Sequence, residues 1–307
     1  MVMLDSPKVD EPKVQGRRIT RRPGRSGYLF VAFYSVLLLV FGVLPAGYAL
    51  YLSFTNALGQ FVGLGQFVKV FRDFRFGPAF ANIAVYVVIW VAVLLVMTVG
   101  LALLLRQRAR SASSILRFLF YVPGALVGVA SILVWMFMLD PAVSPASWVL
   151  SVFGLNDLSA VVAPQNLPII FVIMAFWTGA GGWIVIMYGA LNNIPDEVMD
   201  AARMDGASAL KTAVFVQIPM IKQWIAYMAI LAFAGGTQLF AEPQIFGTAT
   251  GAVDPAWSPN QLAFLYAFQN NDFNGAAAIS MFLLLVALAG AVVIITRTGV
   301  YNLKDDE

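Results

Sequence analysis

Residues 200–219 read DAARMDGASALKTAVFVQIP. This charge-bearing stretch separates two long apolar blocks, and what it is doing there decides the fold. Its punctuation is helical on both sides of a bend. Upstream, Asn193 can cap a helix, Pro195 suits its first turn, and Asp196 and Glu197 favour the positive end of its dipole. Val198, Ala201 and Ala202 fall on one face at spacings of three and four, with Asp200, Arg203 and Asp205 largely on others. Gly206 stands where a left-handed residue would end that helix, and Ser208 can cap a second. In this second helix Leu210, Val214 and Phe215 repeat at helical spacing until Pro219 stops the run. The stretch reads as helix, sharp glycine elbow, helix.

Outward from the elbow, the chain is a membrane protein. Of its 307 residues 60% are hydrophobic and 11% charged, far from the balance of a soluble domain. Cysteine and histidine are absent, which removes disulfides, thiol nucleophiles, the usual zinc ligands and histidine-based triads. Neither GxxxxGK[ST] nor GxGxxG occurs, so nothing points to a nucleotide site in this chain. The net charge of +3 does not point to nucleic acid, because the basic residues sit beside apolar spans rather than in a polar domain.

A spanning helix needs about 20 apolar residues to cross a hydrocarbon core about 30 Å thick. Six segments qualify: 28–52, 79–105, 115–139, 168–190, 224–246 and 276–296. The fifth is interrupted by Gly235, Gly236, Thr237 and Gln238, with Glu242 and Pro243 near its end. The first is too long for a signal-peptide core, and Pro45, Tyr48 and Tyr51 do not form a small-residue cleavage site.

The spans sort the positive charges. Lys8, Lys13, Arg17, Arg18, Arg21, Arg22 and Arg25, then Arg106, Arg108, Arg110 and Arg117, then Arg203, Lys211 and Lys222, then Arg297 and Lys304 all fall on one side. Only Lys69, Arg72 and Arg75 fall on the other. Positive residues are retained in the cytoplasm, so both termini and the elbow are expected there. Residues 1–27 read as a flexible basic tail that meets anionic lipid. The connection 140–167, with Pro141, Pro145 and Pro164, is expected to rest at the outer membrane surface. No internal repeat is evident, which disfavours the inverted-repeat secondary transporters.

Glu242 is the one acidic side chain inside an expected span, and a charge at the bilayer centre is costly enough that it should face protein or water. With Gln238, Gln244 and the ring of Trp177 it offers the amide, carboxylate and aromatic groups that bind sugar hydroxyls and ring faces. Two plainer readings stand beside this one: Glu242 near the outer end reaching interfacial water, and Trp177 as core. Gly124 and Gly128 form a small-xxx-small pair, which points to tight helix packing.

The elbow resembles the signature loop of the membrane subunits of bacterial ABC importers, E-A-A, three residues, G, nine residues, I-x-L-P. Here Asp200, Ala201, Ala202, Gly206, Val216, Ile218 and Pro219 stand at those positions, with Asp, Val and Ile replacing Glu, Ile and Leu. From about residue 28 onward the chain resembles the carbohydrate branch through ALYLSFTN, FVGLGQFVKVF, FLFYVPGALVG, IPDEVMDAARMDGAS and NNDFNGAAAIS, in that order.

The resemblance implies an all-α, type I permease-like fold of six transmembrane helices at 28–299, a coupling loop at 191–222, and a short cytoplasmic tail at 300–307. It implies that Asp200, Ala201, Ala202, Asp205, Gly206, Ala207, Val216, Ile218 and Pro219 dock into a cleft of an ATPase subunit. It also implies a second permease subunit, with a heterodimer favoured, two ATPase subunits that carry ATP and magnesium, an extracytoplasmic solute-binding protein, and residence in the bacterial cytoplasmic membrane. No cofactor is expected in this chain. The cargo implied is a sugar or sugar-like solute; glycerol phosphate, amino sugars and polyamines stay open, as does an ion-coupled transporter in which 191–222 is only a connector.

Overall fold

The computed structural model describes residues 25–298 other than residue 127. The tails expected at 1–27 and 300–307 lie outside the described residues, except that the first helix already begins at Arg25. Among the described residues the chain is helical, and the nearest thing to a strand is an isolated antiparallel bridge between Thr55 and Phe61. Five helices are long and apolar enough to cross a membrane, and a broken pair makes a sixth.

The first helix, α1, begins at Arg25 and supplies the first span, Val31–Ser53; it contains a π turn at Leu39–Val43, and none of the span's apolar window is buried. A proline two positions after this turn accounts for it. The ring of Pro45 would strike the carbonyl four residues back and brings no N–H, and widening the turn moves that carbonyl away.

After α2 (Gly65–Phe71) the second span, α3 (Phe76–Arg106), runs 31 residues. The span expected at 115–139 is instead two helices, α4 (Arg110–Tyr121) and α5 (Val129–Leu139), with a bend of 102° between Ser111–Ala125 and α5. Pro123 sits in the short 3-10 turn Val122–Ala125, and Gly128 adopts φ 70°, ψ −141°, a region open to glycine and costly for other residues. Gly128 is therefore the break and not half of a packing pair, since a Cβ there would meet nothing within 4 Å. Gly124 does pack: its Cβ would stand 3.0 Å from the carbonyl of Thr178, and one on Gly181 would run into the carbonyl of Phe120.

The fourth span is α6 (Leu167–Asn192), and the elbow follows as α7 (Asp196–Met204) and α8 (Ala209–Met220). The fifth is α9 (Lys222–Gly236) and α10 (Ala241–Thr250), separated by non-helical residues 237–240. Last come α11 (Pro259–Phe264) and the sixth span, α12 (Phe273–Thr298). The most extensive helix contact is between α3 and α6; α9 packs on both α3 and α12. Leu94, Phe171, Ile184, Met187, Leu191, Met228 and Phe246 form the buried centre. Because lipid tails are as apolar as these side chains, burial alone drives such packing weakly, and close approach at small residues matters more. Gly181 and Gly236 supply it.

At the end of α3 away from Arg106, three stretches remote in sequence close into a clasp. Asn274 Nδ2 donates to the carbonyls of Leu52 (3.0 Å) and Thr55 (2.9 Å), and Gln66 Nε2 donates to Thr55 at 2.9 Å. Lys69 pairs with Asp272 at 2.6 Å. Asp73 accepts from Arg75 Nη2 and Tyr266 Oη, each at 2.7 Å. The hydrogen bond and charge of Arg75 hold the Asp73 carboxyl well below the usual carboxylate range. Burial, and then the bond to Asp73, push Tyr266 up to about 12. The stretches ALYLSFTN, FVGLGQFVKVF and NNDFNGAAAIS are thus one structural unit, although the first two lie within residues 49–71 and the last begins at residue 270.

Candidate functional site

The elbow begins two residues later than its sequence suggests. Asn193 does not cap α7; it ends α6, and Pro195 (φ −55°, ψ 140°) is the residue that opens the new helix. A residue before proline is pushed out of the helical region, so Ile194 cannot carry a helix through and the chain turns at the proline. Asp196 and Glu197 lie in the first turn. Ala202 is buried, with Val198 and Met199 half-buried beside it, while Ala201 is exposed and so lies off the face expected to contain it.

Gly206 ends α7 at φ 72°. Two bonds fix the end: the N–H of Ala207 to the carbonyl of Ala202 (3.1 Å) and that of Gly206 to Arg203 (3.0 Å), the paired pattern of a Schellman cap. Ser208 Oγ accepts from the N–H of Lys211 at 3.4 Å and starts α8. Pro219 does not stop α8, which reaches Met220 before the chain kinks at Ile221 (φ −100°, ψ 11°). A π turn at Ala213–Gln217 admits the proline, at the same spacing as the turn before Pro45.

Large apolar side chains crowd the outside of this elbow. Met204 is 88% exposed, Phe215 76% and Leu210 74%. Asp200 and Arg203 pair at 2.9 Å on the surface. Asp205 and Pro219 are exposed, and Ala207, Val216 and Ile218 half-buried. A polar cavity of about 440 Å³ lies behind, between Arg106 and Gln107 at the end of α3, Asp196, Asp200 and Arg203 on α7, and Gln217 on α8. The Nη1 atom of Arg106 is buried there without a partner. Anchored on one side and apolar on the other, the elbow has the form of a handle.

A second cavity, of about 340 Å³, opens among the spans. Tyr86 and Trp90 from α3, Thr178 and Trp183 from α6, Gln238 from the break in the fifth span and Glu242 from the first turn of α10 line it. The non-helical residues 237–240 are placed where membrane-depth backbone is tolerated, beside a cavity. Trp90 is pinned: its Nε1 donates to the carbonyl of Ala232 at 3.2 Å, and a Cβ on Gly236 would stand 3.0 Å from its Cδ1. Gly236 therefore makes room for an indole, whereas a Cβ on Gly235 would meet nothing within 4 Å. No Lys or Arg lines this cavity, and no ion pair among the described residues reaches Glu242.

Of the four side chains singled out for a solute path, Gln238 and Glu242 face this cavity and two do not. Trp177 is half-exposed and sets its ring edge-on to Trp135, centroids 6.0 Å apart. Gln244 Oε1 accepts from Gln261 Nε2 at 3.2 Å. Tyr86, Trp90, Thr178 and Trp183 were not singled out by the sequence; the spacing of four between Tyr86 and Trp90 was the available signal.

A family described as binding-protein-dependent transport system inner membrane component matches residues 101–302, a stretch that contains the elbow. A lactose transport system permease protein of Rhizobium radiobacter is 28% identical over 85% of this chain and 90% of its own length. A diacetylchitobiose uptake system permease protein of Streptomyces coelicolor is 26% identical, over 92% of this chain and 86% of its own. Among solved structures, a chain of a bacterial ABC transporter that imports the acidic polysaccharide alginate superposes with a TM-score of 0.78 at 18% identity, covering 91% of this chain and 97% of that one.

Proposed function

The chain belongs to the binding-protein-dependent transport system inner membrane components, and on that premise we propose that it carries a sugar into the bacterial cytoplasm as one permease subunit of an ATP-driven importer. It is a multi-pass membrane protein and not itself an enzyme. The observation that carries the proposal is the elbow: a Schellman-capped bend presenting Met204, Leu210 and Phe215, with the family's signature residues from Asp200 to Pro219 around it. An exposed apolar patch rimmed by polar groups is what a protein partner covers.

In this reading ATPase subunits, which hold ATP and magnesium, grip the elbow and drive the spans between inward-facing and outward-facing states. Asp200, Ala201, Ala202, Asp205, Gly206, Ala207, Val216, Ile218 and Pro219 form or support the grip. The elbow and both termini face the cytoplasm. The charge asymmetry supports this side, since only Lys69, Arg72 and Arg75 fall at the opposite end. A second permease subunit completes the path, and an extracytoplasmic binding protein delivers the solute. The cavity supplies the solute's passage, with Trp90, Trp183 and Tyr86 offering ring faces and Thr178, Gln238 and Glu242 offering hydrogen bonds.

Reconstitution tests this directly. Vesicles holding the chain alone should neither hydrolyse ATP nor concentrate sugar, and co-reconstitution with the partner permease, ATPases and binding protein should give ATP-dependent uptake. Uptake by the chain alone down an ion gradient would overturn the proposal.

A further inference from the structure

Twelve residues line the membrane cavity, and Glu242 is the only one of them with a carboxyl group. The side chains around it are aromatic, hydroxyl, amide or aliphatic, with no guanidinium or ammonium to offset a carboxylate. None of the ion pairs among the described residues involves Glu242, so its oxygens are not spent on a cation of the protein.

Resting on the reading of this cavity as the solute's passage, we infer that Glu242 makes it a passage for neutral and amino sugars and excludes acidic ones. A carboxylate accepts from neighbouring hydroxyls of a neutral sugar or from an ammonium group, in charge-assisted hydrogen bonds that are shorter and stronger than neutral ones. A uronic acid would bring a second carboxylate into the same low-dielectric space, where like charges repel and neither finds a cation. The flat faces of Trp90 and Trp183 add a preference for the apolar face of a pyranose ring, whatever its charge.

The inference separates this chain from its structural neighbour. That importer takes an acidic polysaccharide and its chain shares the overall fold at 18% identity, so the fold by itself does not exclude an acidic cargo and the inferred selectivity is assigned to side chains.

The test uses the assembled transporter in lipid nanodiscs without the binding protein, so that only the permease selects. Three probes are titrated against tryptophan fluorescence: cellobiose, the glucosamine dimer and the galacturonate dimer. Wild type is expected to bind the first two at least about tenfold more tightly than the third, since like-charge contacts cost several-fold to many-fold in affinity. Glu242→Gln should bring the galacturonate dimer to within about threefold of cellobiose, and Glu242→Lys should favour it over the glucosamine dimer, reversing the order. Equal binding of all three by wild type, or an undiminished gap in both variants, overturns the assignment of selectivity to Glu242 while leaving a sugar passage standing. Absence of binding for every probe overturns the sugar passage itself, and the selectivity with it.

Discussion

Substitution at Gly206 gives a graded test of the elbow. The residue sits at φ 72°, and a Cβ built on it meets no atom within 4 Å. Steric clash is therefore absent, and the cost of a side chain is the left-handed backbone alone, about 1–2 kcal/mol for an alanine. That penalty falls on the two cap bonds, Ala207 to Ala202 and Gly206 to Arg203, which hold the bend. It corresponds to a roughly 5–30-fold fall in the population of the correctly bent elbow. Asparagine tolerates this region and should cost less, while β-branched valine should cost more. Solute-stimulated ATP hydrolysis and co-purification of the ATPase should decline in the order Gly, Asn, Ala, Val. The melting temperature of the isolated permease should stay constant across the series, because the elbow is at the edge of the packed spans. Normal transport by Gly206→Val, or an asparagine variant weaker than alanine, would refute the reasoning.

Two further outcomes follow from the packing and the clasp. Gly181→Ala would place a methyl group on the carbonyl of Phe120, so α4 and its following turn must retreat from α6; overpacking of this kind costs about 1–3 kcal/mol, visible as a lower melting temperature in detergent. Asp73→Asn should cost about 1–3 kcal/mol near neutral pH, because Arg75 and the hydroxyl of Tyr266 lose a charged acceptor. The sign of its pH dependence is fixed by the lowered carboxyl. The wild-type contribution is complete above the ordinary carboxylate range and is lost as pH falls below it, so the melting curves of wild type and Asp73→Asn should converge toward acid. Tyr266, raised to about 12, contributes fully below its ordinary range near 10 and loses that contribution as pH climbs to 12. Curves that stay parallel from pH 7 to acid would contradict the assignment.

The elbow was legible because its signals are local. A glycine at the end of an amphipathic turn and a serine two residues later carry their own conformational preferences, and the structure has both in the expected roles. The prolines were harder. From sequence alone Pro195 suits a helical first turn and Pro219 a stop; one instead opens α7 from an extended conformation, and the other is absorbed by a π turn upstream of it. Pro123 and Gly128 were likewise visible within the third apolar block, but an unbroken run of apolar residues looks the same whether one helix or two bent ones contain it.

The cavity was the least legible part. Spans 76–106 and 167–192 are apolar on every side, so periodicity does not tell which face meets protein. Trp177 and Trp183 lie on the same helix, six positions and about 120° apart around it, and only packing decides that Trp183 faces the cavity. The clasp shows the opposite case: FVGLGQFVKVF and NNDFNGAAAIS can be recognised as stretches, yet their shared purpose appears only when Lys69 meets Asp272.

The chain contains no cysteine, so a single introduced thiol reports without background. Met204→Cys and Phe215→Cys, at positions 88% and 76% exposed, should react with a membrane-impermeant maleimide in inside-out vesicles of the permease alone. Binding of the ATPase subunits should protect both, and protection should change with nucleotide. Labelling at the same rate with and without the ATPases, at every stage of the nucleotide cycle, would contradict the claim that this elbow is where the driving force enters.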